Sequence, residues 1–199
     1  MSVPRATFYF DLGSPFAYLA AERLHEVLPE PVVWQPISLG GLFKANGRSS
    51  WALGDGASRE AGMAEVQRRA ELYRLAPICW PDPWPSDYLF AMRAATFAFR
   101  VERGREFTVQ AFRDAFQRGH DLAVAEHVLS AAAAVGLDPR AVDDGTRDPQ
   151  VKLALRAATD AAHARGVFGV PTIAVGEELF WGEDRLSDAP AALERTGGS

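Results

Sequence analysis

Apolar and polar positions alternate with a changing period along this chain, and each change of period predicts an element. Ala6 to Leu12 (ATFYFDL) is short, aromatic and almost continuously apolar, which predicts a buried strand. Gly13-Ser14-Pro15 breaks it. From Phe16 to Leu28 the apolar residues Phe16, Leu19, Ala20, Leu24, Val27 and Leu28 recur at helical spacing. Pro15 suits the first helical position, where its missing N–H has no intrahelical partner, so Ser14 is the expected N-cap. Pro29 and Pro31 end the helix, and Val32 to Leu39 reads as a second strand. A strand, a helix and a strand in this order predict a right-handed βαβ unit.

The middle of the chain loses the two-residue period. Gly40 to Gly56 is rich in Gly and Ser and reads as irregular, whereas Ala57 to about Ala76 is helical, with Met63, Val66 and Ala70 on one face. Pro77 to Pro85 (PICWPDPWP) cannot be regular, because its prolines remove N–H donors and fix φ. Helical runs follow at 87–103, 106–118, 121–135 and 148–165, and Val135-Gly136-Leu137-Asp138-Pro139 has the character of a helix end followed by a new start. Thr172 to Val175 and Glu178 to Trp181 then pair as strands across Gly176-Glu177, a two-residue loop whose leading glycine suits a type II′ turn. A last helix runs from Leu186 to Arg195. The order predicts an α/β fold in which one mixed sheet is interrupted by helices: residues 1–40 and 160–199 on the sheet side, 41–159 as an all-helical insertion.

Composition narrows the class. The chain has 199 residues, 48% of them apolar and 24% charged, with a net charge of -5. Its basic residues are scattered among acidic ones, so no surface for nucleic acid is expected. No apolar run approaches the roughly 20 residues that cross a bilayer, so no membrane partner is expected. Met1 to Thr7 leads directly into the first strand with no leader pattern, and the expectation is a cytoplasmic protein. Cys79 is the single cysteine, which excludes an intramolecular disulfide and a CxxC centre and reads as a small buried hydrophobe. The four histidines lack metal-ligand spacing, so no metal is expected.

Several segments together resemble one family. Phe8 to Ala20 (FYFDLGSPFAYLA), Gly166 to Val175 (GVFGVPTIAV) and Phe180 to Leu186 (FWGEDRL) resemble the opening, the cis-proline segment and the FWGxDRL glutathione-binding turn of the 2-hydroxychromene-2-carboxylate isomerases and the related kappa-class glutathione transferases. The stretch from Trp84 to Leu89, with Arg93, resembles their F-P-x-N-T-L-x-A-x-R segment, with Asp87 in place of Asn. The resemblance implies a thioredoxin-like fold with an inserted all-helical domain, as in DsbA, and a homodimer. It also implies a cis bond before Pro171, which places the backbone of Val170 beside the Ser14 loop to pair with a peptide-like ligand. Asp184 is implied to take the α-amino group of a γ-glutamyl moiety, with the backbone N–H groups of Glu183 and Asp184 taking its carboxylate. The family's Lys and Thr-Gly-Asn after the second strand are replaced by Phe43-Lys44-Ala45-Asn46-Gly47-Arg48, so Asn46 and Arg48 are the candidates to hold the rest of the thiol ligand. No K-x-x-Y segment is recognisable in Ser58 to Ala64.

In the oxidoreductase relatives the loop before the first helix carries C-P-x-C; the matching positions here are Ser14-Pro15-Phe16-Ala17. A serine cannot shuttle electrons, so dithiol–disulfide exchange at this position is closed. A helix N-terminus still offers unpaired N–H groups and about half a positive charge, and a hydroxyl there can donate to a thiolate. Together they lower the pKa of an incoming thiol from about 8.5 toward neutral. By resemblance Ser14 faces the sulfur of glutathione or another low-molecular-weight thiol; by local sequence alone it is an ordinary cap. Phe43, Trp51, Trp80, Trp84 and Arg93 are candidates for an aromatic-substrate pocket, or are packing residues. The implied activity is a thiol-dependent isomerase acting on an aromatic-degradation intermediate. A kappa-like transferase and a thioredoxin-fold binding protein that has lost its dithiol are the alternatives.

Overall fold

In the computed structural model, which describes residues 6–28 and 31–197, the aromatic opening segment becomes the central strand β1 (Ala6–Phe10). It pairs in parallel with β2 (Val32–Pro36) and antiparallel with β3 (Thr172–Val175), which pairs in turn with β4 (Glu178–Trp181), giving the order β2-β1-β3-β4. Phe8 lies opposite Trp34 on one side and Ile173 on the other, and Ile173 lies opposite Phe180. Alternation along the strands sends these side chains to one face, where α1 (Pro15–Val27) covers them. Tyr9 and Ala174 point to the other face and pack with Leu42, Ala162 and Val167. Gly176 takes φ +54° in the β3–β4 turn, the positive φ that its place there requires.

The segment between β2 and β3 is helical: α2 (Leu39–Asn46), α3 (Gly56–Leu72), α4 (Leu89–Arg100), α5 (Gly104–Arg118), α6 (Ala125–Ala134), α7 (Pro139–Arg147) and α8 (Pro149–Ala164). Helix α4 packs against α5, α7 and α8, while α8 also lies on α2 and β2. Aromatic rings join this layer to the sheet: Phe10 lies 6.1 Å from Phe112, and Tyr18 of α1 lies 5.5 Å from Phe116. Each such ring, removed from water, contributes about 1.5–3 kcal/mol. A 3₁₀ stretch (Glu183–Asp188) and α9 (Ala189–Gly197) close the chain.

Four expectations are corrected. The second strand stops at Pro36, and the stretch read as irregular holds α2 and a 3₁₀ turn at Trp51–Leu53. Ser38 caps α2 by accepting from Gly41 N at 3.1 Å, and Gly47 ends it at φ +62°, so Gly40 and Gly41 sit inside a turn whose two ends are both satisfied. Helix α7 takes up the new start read at Asp138-Pro139, with Asp138 as its cap, and occupies a stretch to Arg147 for which no helical run was read. Cys79 is exposed rather than buried: the proline-rich segment lies along the surface, held to α5 by the Cys79 N–H donating to Phe116 O at 2.8 Å.

Candidate active site

Ser14 sits where β1 hands over to α1. Its N–H donates to Asp11 O at 3.0 Å, closing a turn, and its Oγ accepts from Ala17 N at 3.2 Å, capping the helix that Pro15 opens. An oxygen that accepts with one lone pair still has its proton to donate. The turn passes beneath Tyr88, whose ring lies against Gly13 so closely that a Cβ has no room there. Burial raises the Tyr88 pKa well above the usual phenol range, against the opposing effect of the Ser86 N–H, so it stays a neutral wall.

Asp11, which the sequence reading did not single out, ends the same turn and is 5% exposed. Its Oδ1 accepts from Gly13 N at 2.8 Å and its Oδ2 from Leu39 N at 2.7 Å, which ties the tip of α1 to the start of α2. Burial raises its pKa to about 6; the two N–H bonds oppose the rise and the charge of Asp87 adds to it.

Ser14 and Asp11 open onto a cavity of about 780 Å³. Of the residues selected from sequence, Ser14, Phe43, Arg48, Trp51, Trp84 and Val170 line it together. Phe16, Tyr88, Met92, Phe168 and Trp181 complete its aromatic and apolar walls and were not foreseen. Trp51 is the hinge of the aromatic wall, 6.0 Å from Phe16 and 5.4 Å from Trp84. Trp80 stands behind Trp84, at 4.6 Å, and does not reach the cavity; Arg93 does not line it either. Asn46 turns back to donate to Leu42 O at 2.9 Å in its own helix. The Val170–Pro171 bond is cis, and Pro171 O accepts from Gly182 N at 2.9 Å, so the proline loop abuts the turn that carries Glu183 and Asp184.

That turn is built differently. Gly182 adopts φ +104°, with the Asp184 carboxylate folded over it. The Glu183 side chain is fully buried: Arg23 donates to it at 3.0 Å, Tyr73 at 3.3 Å, and Arg69 also binds it closely. The Arg23 guanidinium lies 3.5 Å from the Tyr73 ring centre. Burial opposes the charge of Arg69, but Glu183, Glu65 and Asp184 outweigh it and raise its pKa. Asp184 is largely exposed, 3.8 Å from Arg69, and neither it nor Glu183 lines the cavity. Among the described residues no cluster of three or more His, Cys, Asp or Glu is placed to hold a metal, and no helix is long and apolar enough to cross a membrane.

A split thioredoxin sheet with a capped α1 tip facing a cavity defines a DsbA-like architecture, and the model of the DSBA-like thioredoxin domain matches residues 6–194. The 2-hydroxychromene-2-carboxylate isomerase of Sphingobium xenophagum is 30% identical over 184 residues, covering 90% of this chain and 92% of its own. The enzyme of the same name from Pseudomonas putida is 29% identical over 197 residues, covering 94% and 93%. A solved structure of a 2-hydroxychromene-2-carboxylate isomerase superposes with a TM-score of 0.82 at 24% identity, covering 96% of this chain and 95% of that one. The chain belongs to the DsbA-like thioredoxin family, in its branch of 2-hydroxychromene-2-carboxylate isomerases, an enzyme family.

Proposed function

We propose that this protein is an isomerase of the 2-hydroxychromene-2-carboxylate type that works with glutathione or another low-molecular-weight thiol on an aromatic-degradation intermediate. The observation that carries the reading is the placement of the Ser14 hydroxyl at the N-terminus of α1, on the wall of a large cavity lined by aromatic rings. The donor set fits a sulfur anion: the positive end of the α1 dipole and one hydroxyl with a proton to give, the N–H groups of Ala17 and Tyr18 being met by Ser14 itself. When bound, the thiol supplies a nucleophile that adds reversibly to a conjugated carbonyl compound, allows rotation about the former double bond, and leaves unchanged.

The chain's own residues carry the rest. Ser14 stabilises the sulfur as an anion at the beginning and end of the cycle. Val170 and Arg48 border the space for the remainder of the thiol, and Phe43, Trp51 and Trp84 form flat apolar surfaces for an aromatic ring.

Calorimetry with glutathione, followed by product analysis, tests the reading. Sub-millimolar binding is expected, with the substrate isomerised and all thiol recovered. Stoichiometric loss of thiol into a conjugate makes the protein a kappa-like transferase instead, and absence of binding by any small thiol leaves only the scaffold.

A further inference from the structure

Asp11 and Ser14 share one turn and one cavity wall, yet only Ser14 has a role in the function proposed above. Among the described residues no cation pairs with the Asp11 carboxylate, whose two oxygens are met by the Gly13 and Leu39 N–H groups alone. Asp87 and Tyr88, on the stretch leading into α4, line the same space, the first adding negative charge and the second a neutral phenol. Arg48, beyond the end of α2, is the single cation lining the cavity among the described residues. A sulfur anion arriving at the α1 tip therefore meets a like charge on the turn that receives it.

We infer that Asp11 takes up the proton released when a thiol ionises against Ser14, and holds it for as long as the sulfur is charged. The inference rests on the thiol-dependent reading. The S–H bond breaks with its electron pair kept on sulfur, and an O–H bond forms on an Asp11 carboxylate oxygen. The pair carries a single negative charge before and after, so the cavity never holds both anions. When the thiol departs, the proton returns to it. Burial raises the Asp11 pKa to about 6, and a sulfur anion on the same cavity wall raises it further, toward the protonated form at neutral pH. Its role is to hold a proton and set the charge around the sulfur, without itself touching the carbon that reacts.

The test counts protons. Glutathione binding is measured by calorimetry near neutral pH in two buffers of different ionisation enthalpy, with the ultraviolet thiolate absorbance recorded in parallel and S-methylglutathione as the control that has no thiol proton. The unaltered protein is expected to form thiolate while releasing almost no proton to solvent, whereas Asp11→Asn forms thiolate and releases about one proton per ligand. Release of about one proton by the unaltered protein, or equally small release by Asp11→Asn with thiolate present, overturns the inference and leaves the thiol-dependent reading standing. Failure of glutathione and of every other small thiol tried to bind overturns both. Should Asp11→Asn not fold, the difference infrared spectrum of the unaltered protein decides: a protonated-carboxyl band must rise with glutathione and not with S-methylglutathione, and its absence refutes the proton transfer.

Discussion

Asp11 and Glu183 are both carboxylates removed from water, one closing β1 and the other following β4, and they are partnered in opposite ways. Glu183 is met by two guanidinium groups and a phenol drawn from α1 and α3, so its charge is balanced and it ties the C-terminal turn to both helices. Among the described residues Asp11 has only amide N–H partners, and burial raises its pKa to about 6. A carboxylate matched by cations is a brace. One held by the backbone alone keeps a proton within reach, and it is this one that stands beside Ser14.

The largest expected effect comes from breaking the brace. Glu183→Ala leaves the largely buried Arg23 and Arg69 without their shared anion, and should cost about 3 kcal/mol, read as a fall of roughly 6–12 °C in thermal midpoint. A fall of under about 2 °C contradicts the role given to this side chain.

The unbalanced carboxylate sharpens the contrast through pH. The folded-state pKa of Asp11 lies above its unfolded value of 3.8, so the native protein binds the extra proton and Asp11 penalises folding above pH of about 6. The penalty disappears as pH falls through 6 toward 4, and it amounts to about 3 kcal/mol. Comparing unaltered protein with Asp11→Asn at pH of about 7 and about 4, the unaltered protein should gain by roughly 5–10 °C relative to the variant on acidification. Parallel curves for the two proteins refute the burial argument.

Gly13→Ala forces a methyl group into the Tyr88 ring and should cost about 1–3 kcal/mol, measured by denaturant unfolding; an unchanged midpoint means the ring is free to move away. The smallest effect on stability belongs to Ser14→Ala, about 1 kcal/mol for a lost cap, while the properties of a bound thiol change far more. A stability loss with no change in thiol chemistry reduces Ser14 to a cap.

Much of this arrangement is legible in the residues. Ser14-Pro15 announces a capped helix start, and Gly176 before an exposed Glu177 announces the β3–β4 turn; both depend only on neighbours in sequence. Helix α2 is not legible, because Gly40-Gly41 lowers helix propensity and what offsets it is distant: Leu39 N–H is held by Asp11, Ser38 N–H by Thr159 Oγ1, and Gly41 faces Thr159 where a larger residue meets its methyl. Asp11 was hidden for the same reason, since an acidic residue ending a strand carries no sign that α2 and Tyr88 will enclose it. Trp80 and Trp84 have the same residue type four positions apart; only the fold turns one toward the cavity and the other behind it. Glu183 stands in a motif that suggests ligand contact, and its side chain proves to be committed to arginines far away in sequence.

In the proposed function the α1 tip and its hydroxyl hold a small thiol as an anion. Titrating the ultraviolet thiolate absorbance of bound glutathione tests it directly: the midpoint should fall below about 7, against about 8.5 for a free thiol, and rise by about one unit in Ser14→Ala. A midpoint that stays at the free-thiol value in both proteins contradicts the account.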